Sequence, residues 1–321
     1  MDWFHISKNS SLSEEFMEKH LDEIDWEGIS QFQTLSEEFI EKHKDKIDWY
    51  LVSLFQKLSE EFILKYKDKL DWEWVSRYQK LSEDFIEKNS DRVNWHLIST
   101  YQKLSEEFIE KHLDEIDWEN ISKSQKLSEE FIGRHSDKVH WHYISSQKLS
   151  ENFIDKYKDK LDWYNISARQ KLSEEFIEKH NDKVNWVEIS QYQKLSEEFI
   201  MKYSDRVYWF LISACQELSE EFIENYKDKV DWDNISQFQE LSEDFIGKYS
   251  DRVSWNYISE HQKLSEKFII RYNDKVDWYW ISLCQKMSGS FIDRHFDELQ
   301  FPDLVYNTKL EEEVRLKLYD L

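Results

Sequence analysis

Four residue types recur at fixed spacing in this chain and have the chemistry to act. An Asp stands ten residues after a recurrent Leu in every copy of a repeat, from Asp22 and Asp45 to Asp274 and Asp297. Such a column of carboxylates is what a ladder of cations would require. A Ser recurs four residues after a recurrent Trp, from Ser7 to Ser282, and offers a hydroxyl nucleophile. His20, His43, His112, His135, His180 and His295 share one position and carry rings able to ligate metals or move protons. Lys or Arg stands seven residues after the Leu, from Lys19 to Arg294, broken only by Asn225. A phosphate backbone can follow a stripe of that kind.

Each column also has a structural reading, and the spacing favours it. Neighbouring Asp residues of a stacked repeat lie about 10 Å apart, too far to share one ion. A short connection between helices leaves backbone N–H groups unpaired, and the Asp is expected to accept from them. No His or acid recurs beside the Ser, so it is expected to bond a backbone carbonyl one turn back. The His position is Tyr in six other copies and Asn89 in one, the interchange of a half-buried ring with a polar tip. His140 and His142 form an isolated H-x-H without further Cys or His. In most copies an acidic residue precedes the basic column by four positions, in the favourable helical order. The formal net charge of −24 opposes a nucleic acid at long range. No catalytic, metal or cofactor set emerges, and no enzyme is expected.

These columns are positioned by one repeated unit. Trp recurs at 3, 26, 49, 72, 95, 118, 141, 163, 186, 209, 232, 255 and 278, every step being 23 residues except one of 22. The unit reads L-S-E-E-F-I-E-K-[HY]-x-D-K-[VIL]-[DN]-W-x-x-I-S-x-x-Q-K. Its short copy comes from Ser145-Ser146-Gln147, one residue fewer than elsewhere between Ser and Gln.

Two helices per unit are predicted. In the copy at Leu35, Ser36 caps the first, with Glu37 and Glu38 in the turn where carboxylates favour the helix dipole. Leu35 before the cap and Ile40 after it have the spacing of a hydrophobic staple. Leu35, Phe39, Ile40, His43 and Ile47 share one face, which predicts an amphipathic helix of about three turns. Asp48 caps the second helix, where Trp49, Val52, Ser53 and Gln56 share a face. Asp, Asn or Ser holds this cap in most copies; His140, Tyr208 and Gln300 are exceptions. Helices this short are unstable alone, so each must bury its face on the next copy. The fold class is therefore all-α: an α-solenoid of thirteen two-helix repeats over 1–300, about 70% helix. Over 301–321, Pro302 breaks the pattern, and Thr308 with Glu311 forms a capping box. Leu310, Val314, Leu318 and Leu321 then line a C-terminal capping helix.

Composition agrees. Four Gly and one Pro in 321 residues exclude architectures built on tight turns or phosphate-cradling loops. An aromatic share of 16% excludes an acidic disordered polymer. No apolar run approaches a membrane span, so no membrane is expected as partner. Cys215 and Cys284 are scattered and read as free thiols, consistent with a cytoplasmic chain.

The unit L-S-E-E-F-I-E-K-H-x-D-K-V-D-W-x-x-I-S-x-x-Q-K resembles short tandem repeats of predicted proteins of giant DNA viruses of amoebae. The resemblance covers nearly the whole chain. It implies an intracellular viral protein, in host cytoplasm or virion, and implies no activity.

Positions that differ between copies are free to serve a partner. On the second helices they include Leu51 and Phe55, Trp74 and Tyr78, Leu97 and Tyr101, Glu188 and Tyr192, Tyr257 and Trp280. These stand two or six residues after the Trp. Large aromatics interleaved with polar residues on a non-core face are the composition of protein-binding surfaces. A protein or peptide is thus the expected partner. The sixth position has a competing assignment, packing between neighbouring second helices. Nucleic-acid binding along the first-helix Lys/Arg column is the alternative function.

Overall fold

The computed structural model describes residues 3–9, 11–299, 304, 306, 307, 309 and 310. Among them all regular secondary structure is helical, in 26 short helices from Trp3–Asn9 to Gly289–Arg294. The chain divides into two compact units, Met1–Leu161 and Asp162–Leu321. Within the first, the second helix Trp26–Phe32 packs between Trp3–Asn9 and Trp49–Phe55. Within the other, Trp209–Cys215 packs between Trp186–Tyr192 and Trp232–Phe238 in the same manner. Each unit is a helical-repeat solenoid built on the period of 23 residues.

The first helices are shorter than their periodicity predicts. Glu37–Lys42 has six residues, less than two turns. It stops because His43 leaves helical geometry (φ −112°, ψ 24°). The chain then enters a turn in which Lys46 and Ile47 donate to the His43 carbonyl at 2.8 and 3.2 Å. The second helix, Trp49–Phe55, has seven residues. A repeat is therefore little more than half helical, which corrects the expected 70%. Apolar periodicity reports the buried face, and that face runs on through the turn to Ile47.

The caps form largely as predicted. Ser36 Oγ accepts from Phe39 N at 3.1 Å, and Asp48 from Leu51 N at 3.1 Å. His140 and Tyr208 give no side-chain cap, and neither do Asp25 and Ser254. Leu35 with Ile40, and Ile47 with Val52, are buried as the two staples.

Within each unit, three polar side chains join successive repeats. Gln56, buried, donates through Nε2 to the carbonyls of Ser30 (2.9 Å) and Gln33 (2.7 Å). Its Oε1 accepts from Leu35 N at 2.9 Å. The side chain thus completes the carbonyls that a helix end leaves unpaired, one copy back. Ser53 Oγ donates to the Trp49 carbonyl at 2.7 Å and accepts from Asp71 N, one copy on, at 2.9 Å. Glu14 accepts the N–H and hydroxyl of Ser36 at 2.6 and 3.0 Å. This is the reciprocal logic of a capping box, made between copies rather than within one helix.

The short copy keeps the ladder toward its N-terminal neighbour. Its second helix shrinks to the four residues Trp141–Ile144. Gln147 still donates to Ser122 O and Gln125 O, both at 2.9 Å, and accepts from Leu127 N at 3.1 Å. At the other end, Asn307 takes the place of the next Gln, donating to Ser282 O (2.7 Å) and Gln285 O (2.9 Å). Leu304 and Leu310 are buried beside it. The remaining elements of the expected capping helix, Thr308 and Glu311 through Leu321, lie outside the described residues.

Candidate functional site

The four recurrent columns are occupied in holding the array together. The Asp column faces solvent and does not accept the turn N–H groups as expected. It pairs with a basic residue of the next copy: Arg92 with Asp68 at 3.1 Å, Arg252 with Asp228 at 2.8 Å. The same basic residue lies over a Trp ring of the preceding copy, as Lys69 over Trp49 at 5.2 Å. The turn N–H groups bond the His43-type carbonyl instead, because the turn continues the helical sense of the chain. The Ser column bonds one turn back as predicted, and also takes the N–H of the next copy's cap.

The His rings are packed among aromatics, as their exchange with Tyr predicts. His43 lies 5.3 Å from the Trp26 ring and 4.6 Å from that of Phe39, with its Nε2 2.9 Å from Glu18. Tyr66 has the same setting beside Trp49 and Phe62. His140 and His142 lie with their rings against Tyr143.

Part of the basic column of the first helices is paired, mostly with the preceding copy rather than within its own helix. Lys42 reaches Glu18 of the preceding copy at 2.8 Å, and Arg134 reaches Glu110 at 3.0 Å. Lys65 with Glu41 and Lys248 with Glu224 follow the same rule. Lys19, in the first such helix, uses the i,i+4 partner, Glu15. Stacking brings the neighbour's carboxylate closer than the helix's own. Charge follows contact: hydrogen bonding from Lys65 holds the Glu41 carboxyl below its ordinary range, and Glu41 raises the Lys65 ammonium. Hydrogen bonds from Lys42 and then His43 lower Glu18, and His135 lowers Glu110.

The variable face of the second helices is different. At the sixth position after Trp, side chains are about half exposed: Phe55 46%, Tyr78 51%, Tyr101 49%, Tyr192 57%. The packing assignment for this position is therefore replaced by an exposed one. The second position is the more buried of the two. Leu51, Trp74, Leu97, Tyr257 and Trp280 are partly covered, and Glu188 is buried at 8% exposure. The reason is the tilt of helical side chains toward the N-terminus, which lays the second position against the adjacent helix.

In the first unit these residues join into one surface. Trp74 stacks on Tyr78 at 5.8 Å and meets the exposed Tyr50 edge-on at 5.9 Å. The Arg77 guanidinium lies 5.1 Å from the Tyr78 ring and 4.8 Å from that of Tyr101. Leu51, Phe55 and Leu97 belong to the same run of second helices. In the second unit the predicted residues are scattered. Glu188 and Tyr192 share one helix, Tyr257 lies near His261 at 6.1 Å, and Trp280 meets Tyr279 at 5.0 Å.

Sequence reasoning named neither Tyr50 nor Arg77, and it missed a third basic column. The residue after the ladder Gln is Thr34 in the first copy and then Lys57, Lys80, Lys103, Lys126 and Lys148 in the first unit, the five lysines all exposed. Its signal was the recurrent Q-K at the end of the unit. The connection is extended there, with Gln56 at φ −91°, ψ 148°. Burial alternates along it: Phe55 out, Gln56 in, Lys57 out, Leu58 in. Phe55 and Lys57 consequently reach solvent on either side of a fixed Gln. The column enters no ion pair in the first unit, unlike the other two. In the second unit Glu217 and Glu240 interrupt it, lining open grooves with Cys215 and Phe238. Cys215 and Cys284 are free thiols, and burial raises the Cys284 thiol.

No helix among the described residues is long and apolar enough to cross a membrane. Comparison with protein-family models, curated proteins and solved structures finds no match to this chain.

Proposed function

We propose that the chain is a non-catalytic scaffold that binds a protein or peptide on the variable face of its second helices. The observation that carries this reading is the run of half-exposed rings at Phe55, Tyr78 and Tyr101, of which Tyr78 and Tyr101 are tied together by Arg77 and Tyr78 is joined to Tyr50 through Trp74. Rigid rings lose little side-chain entropy on binding and bring large contact areas, the properties of interface anchors. The neighbouring repeats fix them through the buried Gln and Ser bonds, so little ordering remains to oppose association. The alternative, nucleic acid along the first-helix basic column, loses support because Lys42, Lys65, Arg134 and Lys248 are engaged with carboxylates.

Selection from a displayed random-peptide library tests the reading. The chain is expected to enrich a peptide family that a Phe55→Ala, Tyr78→Ala, Tyr101→Ala variant does not enrich. No enrichment by the parent chain, or equal enrichment by the variant, would overturn it.

A further inference from the structure

We infer that the first unit's second-helix edge receives an extended acidic peptide with apolar residues spaced among its carboxylates. The inference rests on the scaffold reading above and adds the chemistry of the partner. Its ground is charge complementarity along one edge, where every copy from Lys57 to Lys148 contributes an exposed lysine. Several other cations of the first unit are matched internally: Lys42 pairs with Glu18 and Arg134 with Glu110 on the first helices, and Arg92 in a turn pairs with Asp68 and lies over Trp72. Along the joint edge five successive lysines, Lys57 to Lys148, stay exposed with no carboxylate partner. Arg77 adds a cation held by two rings rather than by an acid, and its buried Nε has no hydrogen-bond acceptor. A chain carrying −24 overall thus keeps an unbroken run of five unpaired lysines along this edge, three of them two residues from the exposed rings of Phe55, Tyr78 and Tyr101.

Spacing favours a peptide. Packed helices lie about 8–10 Å apart, and an extended chain advances about 3.3 Å per residue. One repeat therefore spans about three peptide residues, so a carboxylate every third residue meets successive lysines. The residues between place apolar side chains on Phe55, Tyr78 and Tyr101. A single-stranded nucleic acid could also use rings and cations, but its denser charge meets stronger repulsion from the acidic remainder of the chain.

Fluorescence anisotropy with a labelled (Asp-Leu-Ser)5 peptide, a (Lys-Leu-Ser)5 control and a 15-nucleotide oligouridine tests this on the full chain. The acidic peptide is expected to bind saturably, weakening with salt. A Lys57→Glu, Lys80→Glu, Lys103→Glu, Lys126→Glu variant should lose about tenfold or more in affinity while its circular dichroism melt is kept. If charge reversal disturbs folding, the four Lys→Gln changes serve instead, with the same expected direction. No binding by the acidic peptide, or binding unchanged in the variant, overturns the inference. So does tighter oligouridine binding through the same lysines. Should library selection enrich neutral or basic peptides that need Phe55, Tyr78 and Tyr101, the scaffold stands and the acidic partner falls.

Discussion

Replacing Gln102 by Ala removes one side chain and leaves three backbone groups without partners. Gln102 is buried, at 6% exposure. Its Nε2 donates to the carbonyls of Ser76 and Gln79, both at 2.8 Å, and its Oε1 accepts from Leu81 N at 3.2 Å. A buried group left unpaired costs about 1–3 kcal/mol, so three give about 3–9 kcal/mol. Water entering the truncated site restores part of this, and a loss of about 3–6 kcal/mol is expected. Two of the three bonds reach the preceding repeat and the third joins the two ends of Gln102's own repeat, so most of the loss falls on an interface. An array of this kind behaves as a line of coupled units, and a weak link divides its unfolding. Urea unfolding followed by circular dichroism should therefore turn from one transition into two, the earlier one shifted to lower urea. Gln147→Ala is the internal comparison. Gln147 makes the same three bonds but is only part-buried, so a smaller loss is expected. A Gln102→Ala protein that unfolds in one transition within about 0.5 kcal/mol of the parent would refute the argument.

Other outcomes follow from the same contacts. Ser99→Ala deprives Trp95 O and Asp117 N of their shared hydroxyl; a loss of about 1–3 kcal/mol is expected in the same unfolding assay. Tyr101→Ala, at a half-exposed ring, should change stability by less than about 1 kcal/mol, whereas Ile98→Ala, fully buried, should cost about 2–5 kcal/mol. The carboxyls of Glu18, Glu41, Glu110 and Glu224 are all held below the ordinary 4.5 by hydrogen-bonded cations. With folded-state values depressed, their stabilisation is present above about pH 4.5 and is lost as pH falls through the lowered values. Melting temperature measured against pH should drop across that acid window, and changing these four residues to Gln should flatten the drop.

Much of the fold was legible because the repeat supplies its own comparison. The Trp and Leu periods located every helix pair, and Ser36 and Asp48 marked helix starts through chemistry that a single residue carries. Helix ends were less legible. Nothing local to Glu37–Lys42 says that His43 will turn, since its apolar face continues to Ile47 without interruption. Pairing between copies was also hidden, because helical spacing offers Glu38 to Lys42 while stacking offers Glu18. A one-dimensional pattern records only the first of these neighbours. Gln56 illustrates the same limit. Its place on the face of Trp49 marked it as inward, but its partners lie 21 to 26 residues away and depend on how copies stack. For the surface, sequence variation correctly singled out second helices as the face that differs between copies. Which of two positions is exposed depended on side-chain tilt against the neighbouring helix, and this reversed the expected order of Leu51 and Phe55.

The most direct measurement is lysine footprinting of the full chain with and without the bound acidic peptide. Amine acetylation read by mass spectrometry reports each lysine separately. The account predicts that Lys57, Lys80, Lys103 and Lys126 lose reactivity when the peptide is added, while Lys42 and Lys65, paired with Glu18 and Glu41, do not change. Protection of Lys42 and Lys65 with the joint lysines unaffected would contradict it and return the working surface to the first helices.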